Sequence, residues 1–284
     1  MAVKKQVKTT EVRQVTYDRR TGSRVKSSVK PGDIWSDWQE GQERWLFMSA
    51  HDDDIVSGCG LTFLAAVEAG IQVFAGITTN GKMGYCSPKV KKTIAKVREK
   101  ECLDSFRIMG LDKSRVYFLG FDDGSLNLQG GRRFATASAT GPVLKGATGL
   151  QNSYTWLLRT VRPTRIFLPS ITDLHPDHRM TNSEMVISIF HAQGNIWPEL
   201  GAPLEKIPYL YEYPTYSNFI APPELRIRVT GELCERRLDA IYAYKSQEQI
   251  ELLVEALRQT GPIEFIREMK FDIFDSSACN KLFK

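Results

Sequence analysis

The chain contains no run of about twenty apolar residues, the length a membrane-spanning helix needs. Its most apolar window, 61–77, is broken by Glu68, Gly70 and Gln72 and reads as helix, turn and strand, so no membrane span is expected. Cysteine is scarce: Cys59, Cys86, Cys102, Cys234 and Cys279 form an odd set with no C-x-x-C spacing. That excludes both a disulfide framework and a thiolate zinc site, and a reducing, cytoplasmic setting is the expectation. The first thirty residues lack the apolar core of a secretory signal. Histidine is scarcer still, with four residues in 284.

Excess charge is missing from most of the chain as well. Of the formal +5, residues 1–30 contribute +7, from nine Lys/Arg against Glu11 and Asp18, which leaves −2 for the rest. A near-neutral body with a basic leader is not the pattern of a nucleic-acid-binding face, and nucleic-acid binding is not expected. Residues 1–40 read as a basic N-terminal arm, flexible or draped on the surface, and 41–284 as one domain.

From Trp45 onward, short apolar runs alternate with helical patterns. Strands are predicted over 44–49, 71–78, 116–121 and 165–169, with later ones at 209–213 and 226–229. Helices are predicted over 61–69, 88–109, around 154–161, over 181–191 and over 231–245. This order implies an α/β protein with a Rossmann-like, mostly parallel sheet and helices on both faces. The Gly/Ala/Thr/Ser-rich stretch 130–149 reads as a long surface loop. Ligands of such sheets bind beyond the carboxyl ends of the strands, so the loops after Ser49 and Ser170 are where chemistry is expected. The segment Ser57-Gly58-Cys59-Gly60-Leu61-Thr62-Phe63 lacks the third glycine of a dinucleotide fingerprint, which argues against a nucleotide-binding version of the fold.

Those two loops hold three of the four histidines, each among acids: Ala50-His51-Asp52-Asp53-Asp54 and Asp173-Leu174-His175-Pro176-Asp177-His178. Imidazole and carboxylate together suit zinc or another divalent transition metal, which in hydrolytic sites takes three protein ligands and keeps one position open. Either cluster alone could be a solvated turn or a helix cap. Both at strand ends of one sheet point to a metal site, whereas His191 reads as a structural histidine on a helix.

The first cluster, followed by Gly58 and Gly60, resembles the Ala-His-Pro-Asp-Asp signature of the PIG-L (LmbE-like) zinc de-N-acetylases. His175-Pro176-Asp177-His178 resembles that family's second signature. Thr79 with Gly81 and Gly84, Arg98 with Glu101, Gly120-Phe121-x-Asp123-Gly124 and Tyr244-Lys245-Ser246-Gln247 are similar too, so the likeness spans residues 44–250. The resemblance implies one Zn2+ held by His51, Asp54 and His178, with Asp53 as general base. It implies that His175, oriented by Asp177, polarises the amide carbonyl. The implied reaction removes acetyl from a small amino-sugar conjugate of the N-acetylglucosamine type. An amidase cutting a larger acyl or thiol conjugate, and a sugar-binding member without turnover, remain alternatives, and a homo-oligomer is left open.

Two positions depart from the family pattern. Asp52 stands where the family has proline, giving three consecutive carboxylates whose repulsion raises the proton affinity of at least one unless a cation offsets it. Lys82 stands where an acid is usual. With Arg98 it would place two cations near the pocket mouth and favour an anionic conjugate, leaving Asp123 to bond sugar hydroxyls.

Overall fold

The computed structural model describes residues 15–137, 139 and 141–283. The chain opens with strands β1 (Val15–Thr21) and β2 (Arg24–Ser28). A Rossmann-like alternation follows: β3 (Arg44–Ser49), α1 (Asp54–Glu68), β4 (Gln72–Thr79), α2 (Ile94–Ile108) and β5 (Val116–Phe121). A two-stranded hairpin, β6 (Arg133–Phe134) with β7 (Ala147–Thr148), leads to α3 (Leu150–Val161), β8 (Arg165–Pro169) and α4 (Pro176–Gln193). The chain closes with β9 (Tyr209–Tyr213), β10 (Leu225–Val229), α5 (Gly231–Tyr242), α6 (Ile250–Thr260), β11 (Ile263–Met269) and α7 (Ser276–Asn280). None of the described helices is long and apolar enough to cross a membrane.

The main sheet has nine strands in the order β2-β1-β10-β11-β9-β8-β3-β4-β5. From β9 to β5 neighbouring strands run parallel; from β2 to β9 they run antiparallel. Strand β3 shows why this sequence settles between two helical layers. Trp45 and Phe47 face one side, packing with Phe63 of α1 and with residues of α2, α5 and α6, while Leu46 and Met48 face the other, against α3 and α4. A strand apolar on both faces can only be buried in the middle of such a sandwich. From β3 the chain passes to β4 and β5 on one side and returns to β8 on the other, so the strand order reverses between β3 and β8. This is the position where open α/β sheets leave a crevice at their carboxyl edge.

The elements read from periodicity are present, with shifted ends. Helix α1 begins at Asp54 rather than at 61, because Asp54, Ser57, Gly58 and Gly60 interrupt the apolar period of its first two turns. Helix α2 begins at Ile94, residues 88–93 being turns, and α4 begins at Pro176, a proline at the first helical position.

The basic arm needs a larger correction. Part of residues 15–40 is built into the domain: β1 pairs with β10 from Val15↔Val229 to Arg19↔Leu225, and Tyr17, Ile34 and Trp35 are buried, while most of 22–33 lies on the surface. The Trp35 ring meets Trp45 at 4.7 Å and Tyr211 at 4.9 Å. Two of the arm's charges, Arg19 and Asp18, are matched by distant partners. Arg19 forms a two-bond pair with Glu268 at 2.8 and 2.9 Å, and Asp18 accepts from Arg226 and Arg228 at 2.7 and 2.8 Å. The arm's residues 1–14 lie outside the described residues.

Candidate metal centre and cleft

Parallel pairing of β3 with β8 brings the loops that follow them to the same edge of the sheet. His51 lies two residues past β3, and its backbone N–H donates to Asp54 Oδ2 at 2.7 Å, folding the loop into the first turn of α1. After β8, Asp173 Oδ1 accepts the His175 N–H at 2.9 Å, and His175 Nδ1 accepts the Asp177 N–H at 3.2 Å as the cap of α4. Aspartate bonding the backbone two residues on is ordinary turn chemistry; here it fixes both histidines of the second loop.

The two loops converge. His51 Nδ1 lies 3.1 Å from His178 Nε2 and 3.4 Å from Asp54 Oδ2, and His178 Nε2 lies 3.2 Å from Asp54 Oδ1. Donor atoms around a tetrahedral ion with bonds of about 2.0–2.1 Å stand about 3.3 Å apart, and the two ring nitrogens have nearly that spacing, each with a different Asp54 oxygen at a similar distance. The far side of each ring meets a carboxylate as well. His51 Nε2 is 3.2 Å from Asp123 Oδ1 and 3.6 Å from Asp177 Oδ2, and His178 Nδ1 is 3.1 Å from Asp173 Oδ1. Carboxylates behind ligating imidazoles fix the ring tautomer and raise ligand basicity. Two other donor groups share these residues, His51 with His175 and His178, and His51 with Asp123 and Asp177. The donor set therefore fits a divalent cation, with His51 common to every arrangement.

Protonation follows the same logic. Burial alone would lower the His51 pKa, yet Asp54, Asp123 and Asp177 hold it well above the ordinary histidine value. Burial also opposes His178, but Asp54 and Asp173 push it up to about 9. Asp54 is the converse: burial would raise it, and the two imidazoles hold it well below the carboxylate range. His175 is lowered, by burial first and then by the other two histidines, so it is a neutral ring at pH 7. With Nδ1 accepting, its proton sits on Nε2.

Of the three consecutive aspartates, only Asp53 keeps an appreciable side-chain exposure, 19% against 6% for Asp52 and 2% for Asp54. Burial raises the Asp53 pKa and Asp54 adds to the rise, while Arg98 opposes it. Asp52 is pushed up to about 8 by burial and by Asp53, so the extra carboxylate that departs from the family pattern is predominantly protonated at neutral pH. The buried Arg98 guanidinium lies 3.5 Å from both Asp52 Oδ2 and Asp53 Oδ2 and donates to Gln247 Oε1 at 2.6 Å.

These positions revise several expected roles. Arg98 is engaged by the chain's own carboxylates rather than held at a pocket mouth. Lys82 pairs with Asp122 at 2.7 Å on the surface. Asp123 is tied to His51 and accepts the Met83 N–H at 2.9 Å, so it backs a ring rather than standing free for sugar hydroxyls. The Asp177 carboxylate accepts from Gly124 N and Leu126 N at 2.7 and 3.1 Å; it is the backbone N–H of Asp177, not its side chain, that orients His175. An exposed pair such as Lys82 with Asp122 contributes about 0–1 kcal/mol. Lys82→Glu should accordingly change KM for anionic and neutral substrates alike by less than about twofold, and a selective rise for an anionic substrate would restore the cationic-mouth expectation.

Residues without a role in the sequence reading complete the site. Asp173 backs His178, and the Tyr216 ring stacks on it at 5.4 Å with an interplanar angle of 13°. From Asp53 and Asp54 a cleft of about 670 Å³ runs past Tyr85, Tyr216, Arg237 and Glu264 to Leu252, Leu253 and Ala256 of α6 and to Phe265. The Asp173 turn could have been found from its two-residue spacing to His175. Nothing local marks the α6 wall, which is distant in sequence from both loops.

A carboxylate-imidazole cluster at the reversal point of the sheet offers the donors a divalent cation would need. The PIG-L family model, GlcNAc-PI de-N-acetylase, matches residues 46–189, about half of the chain, and the chain belongs to this family. No curated protein matches the chain in sequence. Among solved structures, N,N'-diacetylchitobiose deacetylase from Pyrococcus horikoshii is 23% identical with a TM-score of 0.62, over 80% of this chain and 84% of that one. The conserved protein TT1542 from Thermus thermophilus is 25% identical with a TM-score of 0.61, over 82% and 98%. GalB, the 4-carboxy-2-hydroxymuconate hydratase from Pseudomonas putida KT2440, is 17% identical with a TM-score of 0.58, over 82% and 99%. A deacetylase and a hydratase on one fold mean that the reaction has to be argued from the site.

Proposed function

We propose that this protein is a metal-dependent N-deacetylase acting on an N-acetylglucosamine-type conjugate, with His51, Asp54 and His178 as the residues that hold Zn2+. The observation that carries the reading is the convergence of the two imidazole nitrogens on each other and on the Asp54 carboxylate, at 3.1–3.4 Å, with a carboxylate behind each imidazole. A bound divalent ion supplies Lewis acidity, which brings a water proton within reach of a carboxylate near neutral pH.

The chain's own residues divide the remaining work. Asp53, at the rim of the cleft with a raised pKa, accepts the proton of the attacking water, and Arg98 beside it keeps its carboxylate from pointing away. His175, neutral and with its Nε2–H free of the α4 cap, donates to the carbonyl oxygen as charge develops there, an interaction worth roughly 3–4 kcal/mol of barrier. When the tetrahedral intermediate collapses, the C–N bond breaks, acetate leaves and the protonated Asp53 returns its proton to the amine. Tyr216 stacked on His178 shields that face of the centre from solvent.

The test is acetate release from a panel of N-acetylglucosamine conjugates by zinc-loaded protein. Amine and acetate in equal amounts are expected; addition of water across a double bond without acetate would instead favour hydratase chemistry. The cleft bears on the aglycone. Its far wall of Leu252, Leu253, Ala256 and Phe265 is apolar, and burying a four-carbon chain there would contribute about 2–3 kcal/mol. The octyl glycoside of N-acetylglucosamine should therefore show a KM at least about tenfold below that of the methyl glycoside, and Leu253→Glu should erase the difference. Equal KM values for the two glycosides would place the aglycone elsewhere.

A further inference from the structure

Helix α1 is interrupted five residues after its start. At Cys59 the backbone leaves helical geometry, with φ −145° and ψ 28°, so the turn 54–58 is a separate piece from the remainder of α1 packed on the sheet. Two residues far away in sequence occupy the break. Glu264 of β11 accepts from Leu61 N and Thr62 N at 2.8 Å each, and from Thr62 Oγ1 at 2.9 Å. Arg237 of α5 donates from Nε to Val56 O at 2.9 Å and from Nη2 to Ser57 O. Arg237 and Glu264 are themselves paired at 3.3 Å, both buried. The carbonyls on one side of the break are thus held by the cation and the N–H groups on the other side by the anion.

The glycines around the break make room for this. A Cβ on Gly60 would lie 3.2 Å from Arg237 Cγ and Nε, and one on Gly58 would lie 2.6 Å from the Tyr213 ring. Tyr213 in turn donates to Met48 O at 2.7 Å. What the break releases is the piece that carries the chemistry: Asp54 opens the turn and Asp53 precedes it. In an unbroken helix the direction of these carboxylates would be dictated by the packing of α1 on the sheet. Here the turn is bonded to Arg237, which Glu264 pairs from the other side of the break, and both side chains form part of the cleft wall between Asp53 and α6.

We propose that Arg237 and Glu264 are positioning residues for the proposed metal centre: Arg237 clamps the turn 54–58, and Glu264 anchors both Arg237 and the helix beyond the break, so that Asp54 meets His51 and His178 at ligand spacing and Asp53 faces the cleft. This rests on the metal-dependent deacetylase reading above. Both residues lie beyond the segment matched by the family model, so the proposal concerns this chain's own scaffold.

The experiment compares Arg237→Lys and Glu264→Gln with a control at another buried ion pair, Arg165→Lys. Arg165 pairs with Glu43 at 3.0 Å at the start of β8, the end of that strand remote from the site. Zinc Kd by chelator competition, kcat and KM for acetate release, and Tm are measured for each. All three variants should lose Tm. Only the two clamp variants should weaken zinc by about tenfold or more and lower kcat more than KM. Clamp variants with Kd and kcat within twofold of the parent, or a control that weakens zinc equally, would overturn the proposal. If the clamp variants do not fold, Gly60→Ala displaces Arg237 more gently: a zinc Kd raised about threefold supports the clamp, and an unchanged Kd removes it. A parent protein that binds no zinc and releases no acetate refutes the deacetylase reading and the clamp's role together, whereas an active parent with insensitive variants refutes the clamp alone.

Discussion

His51→Ala and His178→Ala should each sharply weaken binding of the divalent ion proposed for this site. Zinc sites built from four protein ligands bind with about 10–16 kcal/mol, or about 3–4 kcal/mol per ligand, so losing one ligand weakens affinity by about 10²–10³-fold. Asp123→Asn and Asp173→Asn, which leave the three donors in place but remove the carboxylate behind each ring, should cost less, about 10–100-fold. The graded response tests the geometry more sharply than any single loss. Affinity should also depend on pH with a definite sign. His51 is held above the ordinary histidine value and His178 is pushed up to about 9, so a cation entering between their facing nitrogens, 3.1 Å apart, competes with a proton held there. Zinc affinity should then rise with pH up to about 9, by about tenfold per unit for each proton displaced. Metal analysis after gel filtration and chelator competition between pH 6 and 9 measure both effects. Full occupancy in both alanine variants, or affinity flat with pH, would remove the ligand assignment.

Much of this centre was legible because its residue types are rare. Four histidines in the chain, three of them in acidic loops after strands, leave few ways to build anything else. The parallel strands were legible for a similar reason, since β3 and β4 are apolar on consecutive positions and only a sheet covered on both sides hides them. What stayed hidden depends on pairing between residues far apart. Arg19 looked like part of a solvated basic arm because its partner, Glu268, is 249 positions away. Lys82 looked available for a substrate because nothing local revealed that Asp122 would meet it. Asp123 was visible as an acid, but whether it would face a sugar or the back of His51 depended on how β5 delivers it to the same edge as β3. The start of α1 was obscured by its own chemistry: acids and glycines placed for the site break the periodicity that announces a helix.

Asp53→Asn is the variant that separates binding from chemistry. The side chain stands between two others that do different things. Asp52 is buried, 3.5 Å from Arg98, and pushed up to about 8; Asp54 is buried between the imidazoles and held low. Asp53 alone combines access to the cleft with a raised pKa, which is what a general base near neutrality requires. An asparagine there keeps the size and can still sit beside Arg98, but cannot take a proton. Zinc occupancy should remain within about twofold of the parent while kcat falls by about 10²–10⁴-fold, the usual range for a lost general base. The loss should fall on kcat rather than KM, because the proton moves only as the transition state forms. Asp52→Asn is the matching control: its parent carboxyl is already predominantly protonated at pH 7, so kcat there should change by less than about threefold. If Asp53→Asn retained near-parental turnover while Asp52→Asn lost it, the base would be Asp52, and the residue that departs from the family pattern would be the one that carries the reaction.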